Sequence, residues 1–132
     1  VKRGINISYK NDGKNKYLIY GIENRIEQII ANLLDNAISF SDDNKDVIVQ
    51  VSKSEDNKVY IKILDEGQGF KEKDTNKIFK RFYSNRPDKF GQHSGLGLNI
   101  VKNLVDLHNA TIKATNREDK KGASMEIEFP KV

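Results

Sequence analysis

The stretch that most constrains this chain is Arg25 to Ser41, RIEQIIANLLDNAISFS. Ile26, Ile29, Ile30, Leu33, Leu34, Ala37 and Ile38 recur at steps of three and four, which marks a helix with one buried face. Asn32 and Asn36 stand one turn apart on another face, so two carboxamides project side by side. Asn is a poor helix former because its side chain competes for backbone hydrogen bonds. Two of them between good helix formers either make a solvated polar flank or hold something.

Short alternating segments surround this helix. Residues 4 to 10 (GINISYK) place Ile5, Ile7 and Tyr9 on one side, as a half-buried strand does. Asn11, Asp12 and Gly13 are turn formers, and KYLIY reads as a returning strand. After the helix, Asp46 to Ser54 and Lys58 to Leu64 alternate through Val47, Val49, Val51, Val59, Ile61 and Ile63. The polar turn Glu55-Asp56-Asn57 makes them a hairpin. A second amphipathic helix follows Gly95-Leu96-Gly97-Leu98, with Ile100, Val101, Leu104, Val105 and Leu107 on its core face and Asn109 as a left-handed cap. Ala110 to Asn116 and Ala123 to Phe129 are the last strands, joined by REDKKG. The order β-β-α-β-β-loop-α-β-β predicts an α+β domain, a two-layer α/β sandwich with a mixed, mostly antiparallel sheet.

Length and charge narrow the function. The 132 residues make one domain, 1–132, with a single core. The net charge of +4 is spread over interspersed acids and bases, which argues against a phosphate-tracking, nucleic-acid-binding surface. With no cysteine, thiolate nucleophiles and Cys-based zinc sites are excluded. No apolar run approaches the roughly eighteen residues that span a bilayer, and no signal peptide opens the chain. The first residue is Val1, so a piece of a longer protein is expected.

Three features carry chemistry. The Asn pair can supply a neutral oxygen to an octahedral Mg²⁺ whose other ligands are phosphates and water. Asp65 ends a strand and is followed by Gly67 and Gly69; its carboxylate can accept from a heterocycle's exocyclic amine while the glycines let backbone pass close to a ligand. Ser94-Gly95-Leu96-Gly97-Leu98 opens a helix, where free N–H groups and the helix dipole suit phosphate. Asp-Gly turns and helix-opening glycines are each common, so none of these is specific alone. Ser84 to Ser94 has no period and reads as a loop over a site. A glycine loop ending in Lys-Ser or Lys-Thr and the GxGxxG fingerprint are both missing, which excludes P-loop and Rossmann sites.

In order along the chain, NLLDNA, DEGQGF, IFKRFY and GQHSGLGL resemble the N, G1, F and G2 boxes of the catalytic ATP-binding domain of sensor histidine kinases. NIVKNLVDLHNATIKA and GASMEIEFP are similar to that family's closing helix and strand pair, so the resemblance covers essentially the whole chain. FYSNRPDKFGQHSGLGL is similar to the ChvG/ExoS-like members. The resemblance implies a Bergerat (GHKL) fold that binds ATP and Mg²⁺ under a lid at about 80–95. By matching boxes, Asn36 binds the Mg²⁺ and Asn32 lies near the same phosphates. Asp65 takes the adenine amine in a pocket shaped by Gly67, Gly69 and Phe70. Phe82 and Tyr83 anchor the lid, and Ser94, Gly95, Leu96, Gly97 and Leu98 line the phosphate end.

Gyrase and mismatch-repair ATPases of this fold carry Glu, a water-activating base, where this chain has Asn32. Asn cannot accept a proton, so the resemblance implies phosphoryl transfer with little hydrolysis. The implied acceptor is a histidine on the dimerisation domain of the parent kinase, which is absent here, with a response regulator downstream. The domain would be cytoplasmic, in an inner-membrane-anchored parent, without touching membrane itself. Ser39 and Phe40 depart from the family's usual Lys/Arg and Tyr after the metal-binding Asn, and Ser84 from its usual basic residue. Arg81, Arg86 or Lys89 either compensates or is a solvated surface charge. His93 reads as a polar lid residue and His108 as a cation suited to a helix C-terminus. An anti-sigma type GHKL serine kinase and a degenerate nucleotide-binding module are the rival readings.

Overall fold

A computed structural model describes residues 6–10, 19, 21–41, 44–67, 69, 79 and 97–131. The elements are β1 (Asn6–Lys10), α1 (Glu23–Phe40), β2 (Asp46–Lys53), β3 (Val59–Leu64), α2 (Gly97–Leu107), β4 (Thr111–Asn116) and β5 (Ala123–Phe129). The strands form one five-stranded sheet in the order β1-β2-β3-β5-β4. β1 runs parallel to β2 with Asn6 opposite Asp46, whereas β2–β3, β3–β5 and β4–β5 are antiparallel. Parallel neighbours need a crossover rather than a tight turn, and α1 lies between β1 and β2 in the chain to supply it. The mixed, mostly antiparallel sheet is as expected. The KYLIY strand lies outside the described residues except for Ile19, which belongs to no strand.

Both long helices lie on one face. Ile29, Leu33 and Ala37 of α1 and Val101 and Val105 of α2 are buried among Val47, Val59, Ile63, Ile112, Ala114, Met125, Ile127 and Phe129. The register aligns Val59 with Phe129, Ile61 with Ile127 and Ile63 with Met125, so the period-two alternation of each strand feeds the same core. The opposite face is polar and internally paired. Lys62 Nζ lies 3.7 Å from Glu126, Lys58 lies 3.8 Å from Glu128, and Tyr60 donates to Glu128 at 2.9 Å.

Turn chemistry follows the sequence. Asn57 in the β2–β3 turn has φ 65° and Asn109 beyond α2 has φ 56°, the left-handed region Asn tolerates. His108 corrects the cationic reading. Its Nε2 accepts the N–H of Ile22 at 3.1 Å, and its Nδ1 lies 2.7 Å from the Leu104 carbonyl. An accepting Nε2 and a donating Nδ1 make this a neutral ring that ties the start of α1 to the end of α2. No helix among the described residues is long and apolar enough to cross a membrane.

Candidate functional site

Three chain segments converge at one end of the helical layer. The first is the flank of α1, where Gln28, Asn32 and Ser39 are half-buried and Asn36 is buried at 9 % exposure. Among the described residues the Asn36 carboxamide has no hydrogen-bond partner. A buried amide left unpaired costs about 1–3 kcal/mol, so the position suits a group that waits for a ligand. Phe40 closes α1; its side chain lies outside the described residues.

The second segment is the loop after β3. Asp65 is 3 % exposed, and its Oδ1 accepts the N–H of Gly67 at 2.9 Å and of Ala123 at 3.0 Å. Its own N–H donates to the Ala123 carbonyl at 3.0 Å, and its carbonyl accepts from Arg117 Nη1 at 3.1 Å. Gly67 forms an isolated bridge with Ser41, and the Ser41 hydroxyl accepts the Glu66 N–H at 3.3 Å. The end of α1 is therefore stitched to the Asp65 loop. Glu66 extends the seam, accepting the Asp46 N–H at 2.7 Å, which together with nearby Lys120 holds its carboxyl below the usual range. Gly69 has φ 77°, and a Cβ there would lie 2.6 Å from Asn116 Oδ1, so only glycine fits comfortably.

The third segment is the start of α2. Gly97 opens the helix with nothing among the described residues within 4 Å of where a Cβ would stand, and Leu98 packs partly against the core. Asn99 donates to the Phe79 carbonyl at 3.1 Å, and Phe79 is buried. This fastens Phe79 to the first turn of α2 and makes it a core residue. Phe70, Phe82, Tyr83, Ser94, Gly95 and Leu96, with the lid, lie outside the described residues, as do Arg81, Arg86 and Lys89.

Sequence reasoning missed Ser41, Arg117 and Gly122. A lone serine after a helix and an arginine in a polar turn carry no pattern, but a glycine just before the last strand is a signal. Among the described residues no three His, Cys, Asp or Glu side chains gather as a metal cage. A cavity of about 450 Å³ opens on the sheet face opposite α1 and α2, between Lys62, Leu64, Asn116, Arg117 and Ser124. It includes none of Asn32, Asn36 and Asp65, and Lys62 and Arg117 are already paired with Glu126 and Asp119, so it is the back of the site and not its mouth.

Residues 21–132 match the family described as histidine kinase-, DNA gyrase B- and HSP90-like ATPases. The sensor protein ChvG of Agrobacterium fabrum is 36% identical over 128 residues, covering 92% of this chain and 21% of that protein. The chain thus spans about a fifth of the length of this relative. The nucleotide-free catalytic domain of histidine kinase ThkA superposes with a TM-score of 0.82 at 27% identity, covering 98% of this chain and 81% of that one. Histidine kinase ThkA in complex with response regulator protein TrrA is similar too, with a TM-score of 0.79 at 26% identity, covering 99% of this chain and 35% of that one. Four ordered boxes, the two-layer architecture and these matches agree: the chain belongs to the family of histidine kinase-, DNA gyrase B- and HSP90-like ATPases, as an ATP-binding domain of the histidine kinase kind.

Proposed function

We propose that this domain binds Mg²⁺-ATP between the amide flank of α1, the Asp65 loop and the start of α2, and directs the γ-phosphate to a histidine on the phosphoacceptor domain of its parent sensor kinase. The observation that carries the reading is the buried carboxamide of Asn36, without a hydrogen-bond partner among the described residues, one turn from Asn32 on a helix whose end is bridged to the Asp65 loop. A single neutral oxygen, with no acidic cage among the described residues, fits Mg²⁺, which keeps water and phosphate ligands, better than Ca²⁺ or Zn²⁺. When bound, the ion would neutralise phosphate charge and orient the triphosphate.

The chain's own residues supply selection and position. Asp65, fixed in plane by two backbone donors on Oδ1, faces the adenine amine, and Gly67 and Gly69 let the base approach the backbone. Asn36 holds the metal. Asn32 lies beside the phosphates and cannot take a proton from water, so γ-phosphate is kept for a nucleophile brought from outside the domain. A neutral imidazole needs no base, only alignment with a charge-neutralised phosphate. Gly97 leaves the N-terminus of α2 open to phosphate oxygens. The phosphoryl group then passes to a response regulator, a role supported by the ThkA complex with TrrA. We place the domain on the cytoplasmic side of a membrane-anchored parent, where ATP is available.

Thermal unfolding of the domain with ADP or ATP, with and without Mg²⁺, tests the binding step: ATP should raise the midpoint, and more so with Mg²⁺. Labelled ATP with the phosphoacceptor domain supplied tests transfer, and acid-labile, alkali-stable label on histidine is expected. Nucleotide binding without any phosphohistidine would leave a regulatory module instead.

A further inference from the structure

The β4–β5 hairpin turn holds Asp65 from behind, on the side away from the helices. The Arg117 side chain is only 4% exposed, yet each end of its guanidinium has a partner. Nε donates to Asp119 Oδ1 at 3.0 Å and Nη2 to Asp119 Oδ2 at 2.8 Å, a two-point clamp that fixes the guanidinium plane. Nη1 then reaches the Asp65 carbonyl at 3.1 Å. The backbone of the same turn closes on the same residue. Arg117 N–H donates to the Gly122 carbonyl at 2.9 Å, Ala123 exchanges hydrogen bonds with Asp65, and a Cβ on Gly122 would stand 2.1 Å from the Asp65 carbonyl oxygen.

A hairpin turn needs no buried cation to form. Burying a guanidinium is costly unless its donors find acceptors, and here Nη1 is aimed at one carbonyl, that of the residue that faces the base. The Asp119 partner is 63% exposed, so the clamp is anchored at the surface and delivers its hydrogen bond inside.

We propose that Arg117 is a positioning residue for nucleotide selection: clamped by Asp119, it fixes the backbone of Asp65 so that the carboxylate is set to meet the exocyclic amine of adenine. This rests on the assignment of Asp65 to that amine. The hairpin is therefore part of the base-selecting apparatus although it lines the back of the cleft.

The test compares ATP with purine riboside triphosphate, which lacks the exocyclic amine, by titration against the wild-type domain and its Arg117→Ala, Arg117→Lys and Asp119→Asn variants. Wild type should prefer ATP. Arg117→Ala should lose about tenfold in ATP affinity with little change for the analogue, so that the preference collapses. Arg117→Lys should restore part of it, and Asp119→Asn should fall between. Equal weakening of both nucleotides would show a merely structural role and overturn the proposal, as would an unchanged preference in both Arg117→Ala and Asp119→Asn. If Arg117→Ala does not fold, the surface change Asp119→Asn decides. A wild type that binds both nucleotides equally overturns the assignment of Asp65 itself, and this proposal with it.

Discussion

Ser41 and Gly67 face each other across an isolated antiparallel bridge, and this pair joins the end of α1, the helix that carries Asn36, to the Asp65 loop. Ser41 is fully buried, terminates α1 in an extended conformation, and accepts the Glu66 N–H through its hydroxyl. Asn36 and Asp65 come from separate parts of the chain, so their spacing is only as fixed as this seam. Ser41→Ala leaves the Glu66 N–H without that acceptor and should lower unfolding stability by about 1–2 kcal/mol, with weaker ATP binding. Urea unfolding and nucleotide titration measure the two effects, and wild-type values for both would show that the seam holds nothing.

Asp65→Asn separates folding from base recognition. The amide oxygen can still accept from Gly67 and Ala123, so the fold should persist, while an NH₂ replaces an acceptor oxygen. ATP affinity should fall by at least about tenfold with a near-native unfolding curve. Asn36→Asp adds a charge at the proposed metal position and should change the Mg²⁺ dependence of ATP binding; a wild-type metal titration would remove Asn36 from the proposed ligand set.

His108 distinguishes two accounts of one helix end. A neutral ring bridging Leu104 and Ile22 predicts that His108→Lys destabilises the domain by about 1–2 kcal/mol, because Lys cannot accept the Ile22 N–H. A dipole role for a cation predicts the opposite sign. Chemical denaturation decides, and His108→Gln, which keeps an acceptor, should lose less than His108→Lys.

The α1 and α2 helices and the four antiparallel strands β2, β3, β4 and β5 were legible from apolar periodicity and turn residues, since each buries one side against the same core. Asn36 stood out in the sequence as an anomaly of helix propensity, and its burial gives that anomaly a physical basis. The parallel pairing of β1 was not legible, because alternation shows that a segment is a strand and says nothing of its direction. Arg117 and Ser41 escaped for a related reason. Each acts through a partner distant in sequence, and a side chain's long-range hydrogen bond leaves no local pattern. His108 was misread because a helix C-terminus favours a cation locally, while the contact that makes its Nε2 an acceptor comes from Ile22, distant in sequence.

The clamp at the back of the site also has a pH signature. Arg117, whose guanidinium donates to both carboxylate oxygens, pulls the Asp119 carboxyl down to about 2 from an ordinary 3.8. A depressed carboxylate contributes stability that is fully present above its unfolded value and is lost as pH falls through the folded one. The stability gap between wild type and Asp119→Asn should therefore stay constant from pH 8 to about 5 and shrink between about 4 and 2. Unfolding curves collected across that range check it, and a gap that changes near neutrality would mean that another group titrates in the clamp.

Two glycines give the sharpest contrast between what the fold needs and what the ligand needs. Gly122 has φ 142°, and its added Cβ would meet the Asp65 carbonyl oxygen at 2.1 Å, so backbone must move. Gly122→Ala should destabilise the free domain by about 2–4 kcal/mol through strain and overlap together. Gly97 opens α2 with no described residue in contact with an added Cβ, and Ala has the better helix propensity, so Gly97→Ala should leave the free domain as stable as wild type or more so by up to about 0.5 kcal/mol. The two variants should nevertheless both weaken ATP, Gly122→Ala by displacing Asp65 and Gly97→Ala by placing a methyl group where phosphate oxygens approach the helix N-terminus. Thermal midpoints measured without and with Mg²⁺-ATP separate the two causes. A Gly97→Ala domain that keeps full ATP stabilisation would show that the glycine is only a helix start, and the phosphates would then have to be sought away from the N-terminus of α2.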